Sequence, residues 1–247
     1  MSPLLGTFSA ASMRGYRWNK PISPTIPYTG PTPEYWWRAD YGLSTSTWTA
    51  YTGGYDLTLV NVVSANGTSG VYFNGSTGHA FNPTLFSPDL DAKHVMMRFD
   101  LLNKPPENGG LIAMLGGTVD NNHEAFAYQP AGGFYWYFLE YTSTGVLSYA
   151  VRGTDSSGTS TLWADFANGG ANIDVYADGS NTSTAHSAYV GTFNNRFRWP
   201  ALTSLYIGRR EAGSYASFYL KELAIFTTAL SSTDALGFRN NMNARWP

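Results

Sequence analysis

From Glu34 onward, short apolar stretches recur every 8 to 15 residues, separated by the turn-formers Asn66-Gly67, Asn74-Gly75, Asn108-Gly109-Gly110 and Asp178-Gly179. This is the pattern of an all-β sandwich, since each stretch suits a strand and is too short for a core helix. It predicts strands over 57–63, 70–73, 94–102, 111–115, 124–129, 134–140, 146–151, 172–177, 202–208 and 216–226. Period-two alternation sets Ile173, Val175 and Ala177 inward against Asn172, Asp174 and Tyr176, and Leu205 and Ile207 repeat it. In Phe134-Tyr135-Trp136-Tyr137-Phe138-Leu139 both faces are aromatic, so the strand is either covered on both sides or presents a ring-lined surface. The polar run 153–161 predicts a loop. Near the C-terminus, Ser231-Ser232-Thr233-Asp234 has the form of a capping box. Ala235, Phe238, Met242 and Trp246 follow at helical intervals, predicting one short helix packed on the sandwich.

Residues 1–33 break this pattern. They hold six of the 13 prolines, too closely spaced for a helix or a central strand, and predict an extended arm ahead of a domain over 34–247. The arm carries Arg14, Arg17 and Lys20 with Tyr16 and Trp18 and no acidic residue, a mixture suited to docking on another protein or folding back over its own domain.

Composition narrows the classes. By area scaling, a 27.0 kDa chain buries roughly 70% of its unfolded surface, enough for a core without staples. There is no Cys, which excludes disulfides, thiolate metal sites and cysteine nucleophiles. Charged residues are 13% and the formal net charge is −2, leaving no basic surplus for a phosphate backbone and arguing against nucleic acid as the partner. The longest apolar run, Phe134–Leu139, is far shorter than a membrane span, and Met-Ser-Pro-Leu-Leu-Gly lacks the form of a signal peptide.

Several stretches together resemble one family. Trp36-Trp37-Arg38-Ala39-Asp40, Ser46-Thr47-Trp48 and Gly54-Tyr55-Asp56-Leu57 look like the opening of concanavalin A-like, laminin-G-like jelly-roll domains. Gly70-Val71-Tyr72-Phe73-Asn74-Gly75-Ser76 is similar to their strand-turn element, and Asp174 to Gly179 to a later hairpin. Leu205 to Gly208, Leu220 to Phe226 and Ala229-Leu230-Ser231 resemble the closing strands and helix. The resemblance runs in order over 35–246 and implies a two-sheet antiparallel sandwich used for sugar binding, for adhesion or as a scaffold in viral particles. The start, Gly6 to Tyr16, is similar to openings of bacteriophage particle proteins that carry this domain.

Catalytic patterns are sparse. Retaining glucanases related to this fold place two Glu four residues apart on one strand, and retention requires carboxyl groups about 5 Å apart. None of Glu34, Glu107, Glu124, Glu140, Glu211 and Glu222 lies within four residues of another. His123-Glu124-Ala125-Phe126-Ala127 starts like a zinc-protease helix but lacks the second His. The four His, at 79, 94, 123 and 186, fit loop or surface positions. No cofactor and no metal site is expected, and Asp120-Asn121-Asn122-His123-Glu124 reads as a polar turn or as a cluster for sugar hydroxyls or Ca²⁺.

For sugar recognition, Tyr135, Trp136, Tyr137, Trp163 and Trp199 offer flat apolar faces, and Asp120, Asn121, His123 and Asn172 offer hydrogen bonds. The competing reading makes those rings core or subunit contacts. The leading expectation is a non-enzymatic bacteriophage virion protein, on tail fibre or capsid surface, made in the bacterial cytoplasm. It would assemble with itself and other virion proteins through the arm and meet host polysaccharide. A carbohydrate-binding lectin or adhesin, as a tail fibre or as a free protein, is the alternative, and a glycoside hydrolase the third reading.

Overall fold

In the computed structural model, the alternating segments pair into strands as their apolar faces demand. The structure describes residues 28–84, 94–101, 109–115, 123–129, 135–141, 147–152, 158–165, 174–177, 180–181, 183–185, 204–209 and 215–246. The first strands are β1 (Tyr35–Arg38), β2 (Thr47–Trp48), β3 (Leu57–Val60), β4 (Ser64–Asn66), β5 (Gly70–Asn74) and β6 (His79–Asn82). Then come β7 (His94–Leu101), β8 (Gly109–Leu115), β9 (His123–Gln129), β10 (Tyr135–Tyr141), β11 (Leu147–Arg152) and β12 (Gly158–Asp165). The chain closes through β13 (Asp174–Ala177), β14 (Ser180–Asn181), β15 (Ser183–Ala185), β16 (Ser204–Ile207), β17 (Ser217–Phe226) and helix α1 (Ser232–Arg245).

Two antiparallel sheets result. Sheet A has eight strands in the order β14-β13-β12-β7-β17-β5-β4, with β1 also on β17. Sheet B has nine, β15-β11-β10-β9-β8-β16-β6-β3-β2. One edge of β17 pairs with β7 along most of its length, and the other is shared by β5 at Ser217–Leu220 and β1 at Glu222–Ile225. An irregularity between Leu220 and Glu222 separates the two partners, and Gly70 meets it at φ +96°, where a Cβ would lie 2.3 Å from the Leu220 carbonyl oxygen. A side chain at Gly70 would force the strands apart.

The inner face of sheet A, with Trp37, Val71, Phe73, Val95, Met97, Phe99, Phe218, Leu220, Leu223 and Ile225, is buried. It meets Trp48, Leu57, Leu59, Ala80, Leu205 and Ile207 of sheet B, also buried. On the other face of sheet A, Met96, Trp163, Ala224 and Phe226 pack with Ala235, Phe238 and Met242 of α1. The helix thus covers part of the second side of sheet A, while the described outer positions of sheet B, Thr58, His79, Phe81 and Tyr206, lie at or near the surface.

The two-sheet sandwich with one C-terminal helix is the architecture expected from the sequence. Ser231 caps α1 as the capping box predicts, its hydroxyl oxygen accepting from the Asp234 backbone N–H at 3.1 Å. Two expectations need correction. The polar run 153–161 is not all loop, because β12 begins at Gly158 and pairs with β7 from Leu101 to His94. His94 is not a surface residue: it is fully buried beside α1, where the Leu230 N–H donates to Nε2 at 2.8 Å and the Trp163 ring packs 6.0 Å away between centroids.

The last residues of the predicted arm lie on the domain. Tyr28 packs edge-on against Phe238 at 5.1 Å, and its hydroxyl donates to the Pro31 carbonyl at 3.0 Å. Arg14, Tyr16, Arg17, Trp18 and Lys20 lie outside the described residues.

Candidate functional site: a ring platform on the outer face of sheet B

The platform begins with alternation. On β6, Ala80 and Asn82 are buried and His79 and Phe81 are not; on β16, Leu205 and Ile207 are buried and Tyr206 is not. Because Tyr206 is the register partner of Phe81, the two rings stand side by side on the outer face, 5.7 Å apart and within 14° of parallel. The turn before β6 is held by the Asn74 side-chain oxygen, which accepts from the N–H groups of Ser76, Thr77 and Gly78 at 2.8–3.0 Å. That turn delivers His79 within 5.9 Å of both Phe81 and Tyr206.

Gly208 brings in the cation. It follows β16 at φ +85°, and a Cβ there would lie 2.7 Å from the Phe73 ring, so only glycine lets the backbone turn this close to the core. The next residue, Arg209, bridges to Tyr215, and its guanidinium sits 4.6 Å from the Tyr206 centroid and 6.0 Å from that of Tyr215. His79 faces Tyr215 as well, at 6.3 Å.

His79 Nδ1 donates to the Thr77 carbonyl at 3.0 Å, which leaves Nε2 as an acceptor in the neutral ring. Burial, and after it the Arg209 charge, push the His79 pKa below its ordinary value, against the Thr77 hydrogen bond that raises it. The ring is therefore neutral at pH 7. The cluster joins three aromatic faces, a cation with fork-like donors, hydroxyl groups on Tyr206 and Tyr215, and an imidazole acceptor. Apolar faces beside a few placed donors and acceptors suit a small polar ligand with an apolar side, such as a sugar ring.

Among the sequence-predicted residues, register decides which share this face. Tyr206 stands opposite Ala113, and that row continues through Ala125, Leu139 and Tyr149. His123 is the partner of Tyr141, so the positions of His123, Tyr135 and Tyr137 fall on the face of Tyr206, and Trp136, one step out of phase, falls on the other. β10 is three strand spacings, about 14 Å, from β16. Asp120, Asn121, Asn172 and Trp199 lie outside the described residues. Trp163, expected as a sugar platform, is instead a core residue of sheet A, 7% exposed and packed beneath α1.

The residues that build the platform, His79, Phe81, Tyr206, Arg209 and Tyr215, were not among those candidates. Their one signal in the sequence is an outward aromatic between inward Leu205 and Ile207. Register also makes Glu124 and Glu140 direct partners across β9 and β10, which their sequence separation hides. They belong to the row of Met114 and Leu205, the face opposite the platform. Among the described residues no group of three or more His, Asp or Glu is placed to hold a metal.

A second ring group lies on the outer side of sheet A, where Tyr41 and Tyr51 are 46% and 43% exposed and meet edge-on at 5.1 Å. Its polar groups are engaged internally. Arg38 forms a two-pronged pair with Asp40 at 2.6 and 2.9 Å while lying 4.6 Å over Tyr51, and the Trp36 indole donates to Glu222.

No protein-family model matches this chain, and no curated protein matches it. Solved structures do. Trypanosoma rangeli sialidase in complex with sialic acid shares 14% identity over 85% of this chain and 33% of its own, with a TM-score of 0.60. The HCR/D F1240A mutant shares 9% over 83% of this chain and 52% of its own, at 0.54. Ruminococcus gnavus IT-sialidase CBM40 bound to alpha2,3 sialyllactose shares 14% over 60% of this chain and 83% of its own, at 0.46. The chain spans about a third of the length of the sialidase it matches. At such identities the likeness is one of fold, a two-sheet antiparallel β-sandwich.

Proposed function

We propose that this protein is a non-enzymatic carbohydrate-binding domain that takes a sugar on the outer face of sheet B, and that it serves a bacteriophage particle in contact with the host surface. The carrying observation is the cluster of His79, Phe81, Tyr206, Arg209 and Tyr215, in which stacked rings and unlike hydrogen-bonding groups share one face. The likeness in fold to a sialidase seen with sialic acid agrees with a sugar as the ligand. The non-enzymatic part of the reading rests on the sequence, in which no two Glu lie within four residues of each other. The opening Gly6 to Tyr16 and its similarity to phage particle proteins support the particle role.

Calorimetric titration with a panel of bacterial surface polysaccharides tests the reading. Binding is expected with at least one, and Tyr206→Ala should weaken it about 10-fold or more, which is about 1.4 kcal/mol. Absence of heat across the panel, or affinity unchanged in Tyr206→Ala, overturns it. New reducing ends during the titration would replace it with a glycoside hydrolase.

A further inference from the structure

We infer that the sugar taken by this face carries a carboxylate and that Arg209 is the residue that pairs with it. This rests on the carbohydrate reading above and narrows its ligand to acidic sugars.

The argument starts from how the other cations are satisfied. Arg38 is bound to Asp40 at 2.6 Å, Lys221 to Asp100 at 2.7 Å and Arg245 to Glu222 at 2.5 Å. Buried Arg98 donates to the Trp246 carbonyl and to the Thr161 hydroxyl oxygen. Arg209 differs from all four. Its Nε is buried with no hydrogen-bond partner, and among the described residues no carboxylate pairs with it.

The guanidinium carbon lies 4.6 Å from the Tyr206 centroid and 6.0 Å from that of Tyr215, a cation–π attraction that is not itself a hydrogen bond and uses none of the N–H donors. Arg209 as a whole is only half-buried, so its charge is open to an acceptor from outside, and an anion that draws the guanidinium outward also relieves the unpaired Nε. The fork of a guanidinium matches two coplanar oxygens of a carboxylate better than a single hydroxyl. Arg239 Nε is also buried and unpaired, but its guanidinium contacts Asn240 on the helix and has no ring platform to seat a sugar. At the Arg209 site, a carboxylate on the fork sets the apolar side of the same sugar over Phe81 and Tyr206. A ring hydroxyl can then donate to His79 Nε2, which no anion alone would use.

The test is calorimetry with 3′-sialyllactose, trigalacturonate and a hyaluronan tetrasaccharide, each paired with its uncharged counterpart: lactose for the first, the carboxyl-reduced form for the others. The wild-type protein, Arg209→Gln and Arg209→Lys are compared after their melting temperatures are matched. At least one acidic probe is expected to bind about 10-fold or more tightly than its neutral counterpart. Arg209→Gln should bring each acidic probe to within about twofold of its own neutral counterpart, whatever the change in the neutral affinity, and Arg209→Lys should fall between, keeping the charge but losing the fork. Equal affinity within every pair, or a preference that survives in Arg209→Gln, overturns the inference and leaves the carbohydrate reading standing. Failure of every probe to bind overturns the inference as well, and the carbohydrate reading falls with it only if the polysaccharide panel is also silent.

Discussion

Glu222 shows how single residues organise the covered side of sheet A. Its carboxylate is fully buried yet accepts from the indoles of Trp36 at 2.7 Å and Trp246 at 2.6 Å and from the Arg245 guanidinium at 2.5–2.6 Å. These contacts tie β1, β17 and the end of α1 to one acceptor. Removing it strands a partly buried cation and two indole donors, so Glu222→Ala is expected to cost about 3–5 kcal/mol in chemical denaturation. Glu222→Gln should cost less, because one oxygen still accepts. At His79, the pKa lies below its ordinary 6.5, with burial the larger cause, so the folded state favours the neutral ring. The unfolded chain then binds the proton more readily. The stability owed to His79 is complete above about pH 6.5 and is lost as pH falls through the lower folded-state value. His79→Gln should flatten that acid-side decline in melting temperature measured from pH 8 to pH 5.

At the scale of elements, α1 is the part that local chemistry specifies most fully. Its cap, its first-turn Asp234 and its apolar interval are all written between Ser231 and Trp246. Ser231→Ala removes the acceptor for the Asp234 N–H, and a loss of about 1 kcal/mol is expected from denaturant titration. β12 is the opposite case. Gly158-Thr159-Ser160-Thr161 carries no apolar alternation, and its strand conformation comes from pairing with β7, which no window of its own sequence encodes. The burial of His94 is not legible for a related reason: alternation shows that a strand has two faces but not that a helix covers the second one. The platform was partly legible, since Tyr206 is set outward by its neighbours. Its partners are brought together by β6–β16 pairing and by the turn at Gly208, which join residues more than a hundred positions apart.

For the whole molecule, the proposed site follows from an asymmetry between the sheets. Sheet A is packed on one side by sheet B and over part of the other by α1, and the ring group left on that side has its polar groups engaged internally, whereas the described outer positions of sheet B carry Thr58, His79, Phe81 and Tyr206 at or near the surface. The particle role is a separate claim and fails separately. Deleting residues 2–33 is expected to abolish incorporation into phage particles while leaving a cooperative melting transition in the remaining domain, and normal incorporation would refute the arm as the attachment element. The most direct test of the central claim is a crystal structure with an oligosaccharide from the panel bound. Sugar density over Phe81, Tyr206 and Tyr215, with a polar contact to Arg209, is the predicted result. Density over Tyr41 and Tyr51, or anywhere off the outer face of sheet B, would contradict it.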